Sequence, residues 1–322
     1  HEDFAELGGH SLLSIRLVNE IQERLGKTLP ITQIGRLTTI AEQAQQIEKT
    51  AAQQVETPLV SESGKSSGSS LFEGLNSDQV GQLHAYMAGW PGTPVWEGAL
   101  YRGLNTEGSL PPLFWCFNWG EEFAALAKAL GPDQPLYGTR SGHLIMDFVP
   151  ETQQRDNRRV AMQSVDEVLK IQPEGPYYLG GNCQGAAIAM ETAQVLNGLA
   201  LPVGLVLMME DVTDHVFHGN VSLLFGDASE MNPYTLEDDP DALWSQRYLN
   251  YSVDSIRGRH GQFFKEKNIK QLAHTVAQRL AEARNRMDAP AQPSLASDVA
   301  APEQTDQQMQ IAASAGVLLS QA

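Results

Sequence analysis

One five-residue turn restricts the fold of this chain more than any other feature of its sequence. Gly181, Cys183 and Gly185 alternate with Asn and Gln in this turn, which separates an apolar run, PYYLG, from a helical pattern over residues 186–196. Small residues two positions before and after a central side chain let a strand turn sharply into a helix and lift that side chain clear of a sheet. The turn therefore predicts a strand–helix junction that exposes the sulfur of Cys183.

The position of Cys183 favours a role as a nucleophile. We expect the dipole of the following helix to favour the thiolate. We also expect the backbone N–H of Gln184 to point at a developing oxyanion. The alternative is a glycine-rich turn around a buried and inert cysteine, and the strand–turn–helix context favours the catalytic interpretation.

A cysteine nucleophile needs a base that is held by an acid. The acid is expected after the next strand, and the apolar run 203–209 ends at Glu210 and Asp211. We rank Glu210 first and keep Asp211 as the alternate acid, although either residue could instead cap the following turn. The predicted base is His260, which lies in a glycine-flanked loop before the last helical pattern.

Other polar residues complete the candidate site. A second oxyanion donor should come from the loop after the first core strand, which points to the backbone N–H of Asn118 or Trp119. Cys116 lies within that strand and is interpreted as a packed core thiol. His215 and His218 form an H-x-x-H pair, but no further Cys or His stands at ligand spacing, so we expect no metal.

Short apolar runs alternate with helical periodicities between residues 71 and 287. This alternation predicts an α/β fold, with a parallel sheet that is covered on both faces. Residues 212–258 mix apolar patches with Asp-rich turns, and we interpret them as a lid rather than a pair of surface helices. Candidate pocket-wall residues are Trp119, Phe217 and Trp244.

The composition divides the chain into regions. Its 322 residues are enough for about two domains. Residues 1–50 show a helical stripe, residues 51–70 are rich in Ser, Gly and Gln and predict a flexible linker, and residues 288–322 predict a disordered tail.

Charge and cysteine content restrict the partners and the compartment. The formal net charge of −17 disfavours nucleic acid and anionic membrane surfaces. No apolar run approaches the ~18–20 residues that span a bilayer, and the chain opens without a signal-peptide pattern, as if cut from a longer protein. Two cysteines form no disulfide framework and fit the cytoplasm.

The opening stretch FAELGGHSLL, residues 4–13, resembles the peptidyl-carrier-protein motif of nonribosomal peptide synthetases. The resemblance implies that Ser11 is the attachment site of a covalent 4′-phosphopantetheine, installed by a phosphopantetheinyl transferase; the alternative is a plain N-cap serine. The first helix of that family has no counterpart here. The resemblance therefore implies a truncated small helical-bundle carrier domain over residues 1–50.

The stretches PPLFWCF, LGPDQPLYG, GNCQG and RHGQFF resemble the type I thioesterase domains that follow such carriers. The resemblance implies an α/β-hydrolase fold with a lid insertion, upstream synthetase modules in cis and a peptidyl thioester substrate. By position it makes Cys183 the nucleophile, His260 the base and Glu210 the acid. Most members have serine and aspartate at the first and last of these positions, so the choice between Glu210 and Asp211 stays open.

With cysteine at the turn, the chain resembles the cysteine-nucleophile subset of these domains, which makes β-lactams (sulfazecin type) or β-lactones (obafluorin type). A cysteine forms a second thioester, which keeps the acyl group activated, whereas a serine forms an oxoester that has lost much of this free energy. We therefore expect release by closure of a strained four-membered ring, with a β-lactam favoured by overall resemblance. The alternatives are β-lactone formation, macrocyclisation, simple hydrolysis as in an editing enzyme, and a non-catalytic docking module.

Overall fold

The computed structural model describes residues 39, 41–42, 44–45, 74–146, 152–211, 215–235 and 239–288. The predicted carrier domain, linker and tail lie almost wholly outside these residues, and so does Ser11. Within the described ranges, every helix is too short or too polar to cross the apolar layer of a bilayer.

The described residues form a sheet of eight strands in the order β1-β2-β4-β3-β5-β6-β7-β8. The pairs β1–β2 and β2–β4 are antiparallel, and all other neighbouring strands are parallel. The predicted parallel sheet is thus present with an antiparallel edge. The strands are β1 (Thr93–Pro94), β2 (Arg102–Leu104), β3 (Leu113–Phe117), β4 (Leu136–Arg140), β5 (Tyr177–Asn182), β6 (Val203–Met209), β7 (Phe217–Gly226) and β8 (Tyr248–Ile256).

Helices cover both faces of the sheet. The described helices are α1 (Ser77–Met87), α2 (Gly120–Leu130), α3 (Gln153–Ile171), α4 (Gln184–Gly198), α5 (Pro240–Arg247) and α6 (Ile269–Asp288). α2 and α6 contribute to one hydrophobic core, and α3 and α4 contribute to the other. This is the α/β-hydrolase fold, as the sequence predicts.

Strand β3 shows why the sequence specifies a central strand. All five of its residues are buried, because the neighbouring elements cover the strand from both sides. Its side chains alternate: Trp115 and Phe117 belong to the core under α2 and α6, whereas Phe114 belongs to the core under α3 and α4. The parallel strands β3 to β6 end at the same edge, where the candidate site lies.

The structure contradicts the lid expected at residues 212–258. Strands β7 and β8 of this segment extend the sheet, and α5 lies between them along the chain. Phe217 and Trp244, expected in a pocket wall, are core residues, and Trp244 packs with Phe225 and Tyr248 at ring-centroid distances of 6.1 Å. The apolar patches of the segment are therefore core-forming.

Candidate active site

Cys183 occupies a strained turn between β5 and α4. Its φ and ψ are 53° and −125°, an unusual conformation for a residue with a side chain. Its backbone N–H donates to the carbonyl oxygen of Met209 at 2.8 Å, which fixes the turn against the end of β6. The sharp strand–helix junction predicted at Cys183 agrees with this geometry, but the predicted exposure of its side chain does not, because the structure buries Cys183.

Both glycines of the turn are required by close backbone contacts. A Cβ added to Gly181 would lie 2.1 Å from the carbonyl oxygen of Gly185. A Cβ added to Gly185 would lie 2.1 Å from the carbonyl oxygen of Cys116 in β3. Because backbone atoms stand on both sides of each contact, only glycine fits at either position.

The resting sulfur of Cys183 carries its proton. Burial raises the pKa of this thiol, the negative charge of Asp211 raises it further, and a hydrogen bond from the backbone N–H of Gln184 opposes both effects. The loss of hydration on burial thus opposes the stabilisation of a thiolate that is expected at the helix N-terminus. A role of this sulfur as a nucleophile would therefore require a base that removes the proton.

Glu210 and His260 form a buried pair at the same edge of the sheet. His260 Nδ1 lies 2.9 Å from Glu210 Oε2, and both side chains are buried. The Glu210 carboxylate also accepts the backbone N–H of Gly226 at 2.6 Å and the hydroxyl of Ser229. With Nδ1–H assigned as the donor to Glu210, His260 Nε2 keeps a lone pair that can accept a proton.

The loop that carries His260 is tied to the end of β7. The backbone N–H of Gly258 donates to Asp227 Oδ1 at 2.8 Å, and the backbone N–H of Asp227 donates to the carbonyl oxygen of Ile256 at 2.8 Å. Sequence analysis missed Asp227 and Ser229, since both fall in the segment interpreted as a lid. No local motif marks either residue, because their partners are distant in the chain.

The two N–H groups expected as oxyanion donors already have an acceptor. The backbone N–H groups of Asn118 and Trp119 donate to Glu122 Oε2 at 3.1 and 3.2 Å, and Asn182 Nδ2 donates to the same oxygen at 3.2 Å. Glu122, the third residue of α2, thereby accepts the backbone N–H of the N-cap residue, Trp119. The role of Asn118 or Trp119 in an oxyanion site stays a prediction, and it requires one of these N–H groups to leave Glu122.

We expect replacement of Glu122 by glutamine to flatten the pH dependence of stability. Burial raises the pKa of Glu122 from 4.5 to about 7, so the folded protein holds this proton more tightly than the unfolded chain does. Wild-type stability should therefore fall as the pH rises from about 4.5 to 7, by at most about 3 kcal/mol. Glu122→Gln should lose this dependence in urea unfolding measured at pH 5 and pH 7.5.

The exposed neighbour in the same helical turn supplies the control for this experiment. Glu121→Gln removes a carboxylate whose side chain faces solvent, so its pH dependence should match that of the wild type. An equal slope in the wild type and in Glu122→Gln would contradict the assignment of this titration to Glu122.

The remaining sequence candidates are Cys116, His215 and His218. Cys116 is buried in β3, and burial raises the pKa of its thiol, in agreement with a core role. His215 Nε2 lies 3.3 Å from Glu191 Oε1, while His218 is exposed on β7. In the ranges that the structure describes, no group of three His, Cys, Asp or Glu side chains could hold a metal.

The fold and its site belong to the class of α/β-hydrolases that act by acyl transfer or hydrolysis. Comparison with protein families is more specific: residues 119–314 match the thioesterase domain, and the chain belongs to this family. Residues 1–47 match the phosphopantetheine attachment site, a domain that holds 4′-phosphopantetheine covalently on a serine. Ser11 stays the predicted attachment residue.

Similar proteins include long synthetases. The chain is 27% identical over 235 residues to malpibaldin synthetase of Mortierella alpina. The alignment covers 71% of this chain and 3% of that protein. It is 30% identical over 214 residues to a probable non-canonical nonribosomal peptide synthetase, CymA, of Salinispora arenicola (strain CNS-205). This alignment covers 65% of this chain and 2% of that protein. The chain therefore spans only a small part of each relative.

A solved structure with a similar fold is the NocB thioesterase domain from the nocardicin cluster. The alignment has a TM-score of 0.43 and 20% sequence identity, and it covers 56% of this chain and 99% of that one.

Proposed function

We propose that this chain releases a peptide from a nonribosomal peptide synthetase by way of an acyl group on Cys183, and that release closes a strained four-membered ring, a β-lactam. The observation that carries the proposal is a cysteine, rather than a serine, at a strained strand–helix turn whose backbone bonds to Met209, the residue before Glu210 of the buried Glu210–His260 pair. The thioesterase family and the adjoining carrier domain support release from a carrier in cis.

The first half-reaction moves the acyl group to the protein. A loaded carrier supplies the acyl group as a thioester. The Cys183 sulfur attacks the thioester carbonyl while His260 Nε2 takes the thiol proton, and Glu210 stabilises the imidazolium through Nδ1–H. The Gln184 N–H stabilises the oxyanion. As the carbon–sulfur bond to the leaving thiol breaks, His260 returns the proton to that thiol.

The second half-reaction frees the product. A nitrogen within the acyl chain attacks the acyl carbonyl on Cys183 and gives its proton to His260 Nε2. The new carbon–nitrogen bond closes the ring, and the Cys183 sulfur leaves and regains a proton from His260. The acyl group stays a thioester until ring closure, so it keeps the free energy that a strained product requires.

The 2.9 Å contact to His260 Nδ1 favours Glu210 over Asp211 as the acid. In this assignment, the carboxylate of Asp211 acts on the Cys183 thiol as a neighbouring negative charge. The hydrogen bonds from Gly226 and Ser229 keep Glu210 oriented toward the imidazole.

The test of this proposal compares the wild type with Cys183→Ser. A synthetic acyl-pantetheine thioester with an internal amine should give a covalent adduct on Cys183, seen by intact-protein mass spectrometry, and a product lighter than the linear acid by one water. Cys183→Ser forms the less activated oxoester, so its yield of cyclic product should fall about tenfold or more relative to linear acid. Linear acid alone from both proteins would contradict ring closure, and the absence of any adduct would contradict the nucleophile.

A further inference from the structure

Arg140 is a buried cation at the edge of the sheet that carries the candidate site. It is the last residue of β4, pairs in register with Phe117 of β3, and is only 2% exposed. Because β3, β4, β5 and β6 are parallel, the carboxyl end of β4 lies at the same edge as Cys183 and Glu210. The proposed reaction does not use Arg140.

Three aromatic rings surround the guanidinium of Arg140. Its Cζ atom lies 4.8 Å from the ring centre of Trp119, 5.5 Å from that of Tyr86 and 5.9 Å from that of Trp90. Rings at these distances stabilise a cation through their π faces, and a π face is not an oxygen acceptor for the N–H donors. We call this arrangement the Arg140 box.

One edge of the guanidinium has donors and no acceptors. Arg140 Nε and Nη2 are buried, and neither has a hydrogen-bond partner among the residues that the structure describes. No carboxylate of the described residues forms an ion pair with Arg140; Glu122 acts on it only through longer-range attraction. Burial lowers the pKa of Arg140 to about 10, so the group still carries its charge at neutral pH. Buried donors without acceptors are costly and call for an explanation.

A second arginine shows what this edge binds. The same two donors of Arg279 bind both oxygens of one carboxylate: Nε donates to Asp254 Oδ2 and Nη2 donates to Asp254 Oδ1, each at 2.7 Å. This two-point contact is the geometry that arginine prefers with carboxylate and phosphate groups. In the Arg140 box, the corresponding edge has the donors of this contact without the acceptor.

We propose that the Nε–Nη2 edge of Arg140 binds an anionic oxygen group of the thioester substrate, either a carboxylate on the acyl chain or the phosphate of the pantetheine arm. This inference rests on the proposed function, because it assigns the anion to the substrate of the same site. Trp119 is the exposed wall of the box, with 41% of its surface accessible, and the anion enters as this ring turns aside. Binding of the anion pairs the buried charge and fixes the substrate near Cys183.

The test measures binding rather than turnover. In the full chain with Cys183→Ala, calorimetry compares an acyl-pantetheine thioester that ends in a carboxylate with the same compound ending in a primary amide. It also compares the 4′-phosphorylated thioester with its dephosphorylated form. Loss of the anion that Arg140 holds should weaken binding by about ten- to a hundredfold, as two charge-assisted hydrogen bonds require. The compound that loses affinity identifies the source of the anion.

Substitution then assigns the effect to Arg140. Arg140→Met fills a similar volume without the charge and should abolish the preference for the anionic compound, and Arg140→Lys should retain only part of it. The matched control is Arg284→Met: this arginine packs 5.4 Å from the Tyr178 ring, and its Nη2 donates to the carbonyl oxygen of Pro111, next to the amino end of β3. Arg284→Met should keep the preference.

Two results would overturn the Arg140 proposal. One is equal affinity of the Cys183→Ala protein for all four compounds. This result is obtained without an Arg140 variant, so it does not depend on whether such a variant folds. The other is a folded Arg140→Met protein that keeps the full preference. Neither depends on catalysis, so both are distinguishable from failure of the proposed function, which shows as the absence of an adduct on wild-type Cys183.

Discussion

Replacement of His260 by alanine is expected to slow acylation of Cys183 by about a thousandfold or more, within the range that general acid–base catalysis supplies. Burial and the charge of Asp211 keep the resting thiol protonated, so attack needs a base in the same step. His260 is held for this task by Glu210 at 2.9 Å. Rapid mixing with a thioester, followed by intact-protein mass spectrometry, gives the rate of adduct formation directly.

The pH dependence of the slow variant should also change. Without His260, solvent must remove the thiol proton, and the fraction of thiolate rises about tenfold per pH unit below the raised pKa of Cys183. The residual rate of His260→Ala should therefore climb with pH across the range in which the protein stays folded. The wild type should show a shallower dependence than His260→Ala, because His260 supplies the base.

Two further variants separate catalysis from folding in this experiment. Glu210→Gln should lower the rate less than His260→Ala does, because the histidine remains, although it loses the negative charge that fixes its tautomer and stabilises the imidazolium. His274→Ala changes an exposed histidine of α6 and should acylate at the wild-type rate. A His260→Ala rate within tenfold of the wild type would remove His260 from the mechanism.

Local chemistry made part of this site predictable from sequence. The turn at Cys183 could be predicted because its glycine spacing is a local steric requirement, which the 2.1 Å contacts of Gly181 and Gly185 now explain. Glu210 could be predicted because the apolar run before it is long enough to be a central strand. The structure brings Glu210 to the imidazole of His260, although 50 residues separate them in the chain.

Other features depend on tertiary contacts that no local pattern reveals. The lid prediction was wrong because apolar residues of β7 and of α5 suit a lid as well as a core, and only strand pairing distinguishes the two. The capping role of Glu122 escaped notice because the N-cap residue, Trp119, is not a typical capping residue. Arg140 escaped notice because an arginine at a strand end is usually solvated, and its box is assembled from three separate segments.

The second large effect concerns the turn itself, and it is expected from Gly185→Ala. The added Cβ would lie 2.1 Å from the carbonyl oxygen of Cys116 and 2.9 Å from its carbonyl carbon. β3 lies between two paired strands, and α4 is packed on the sheet, so neither side can move away cheaply. We expect a loss of about 3 kcal/mol or more in the free energy of unfolding, which is typical of overpacking against rigid neighbours.

The control for this substitution is Gly81→Ala in α1. Nothing lies within 4 Å of a Cβ at Gly81, so the change should stabilise the helix by about 0.5–1 kcal/mol. Urea unfolding of both variants compares their free energies of unfolding. Any Gly185→Ala protein that remains folded should be acylated slowly, since relief of the clash moves Cys183 away from the end of β6. An unfolding midpoint like that of the wild type would mean that α4 can shift without cost. The strained conformation of Cys183 would then not depend on the close contact between Gly185 and β3.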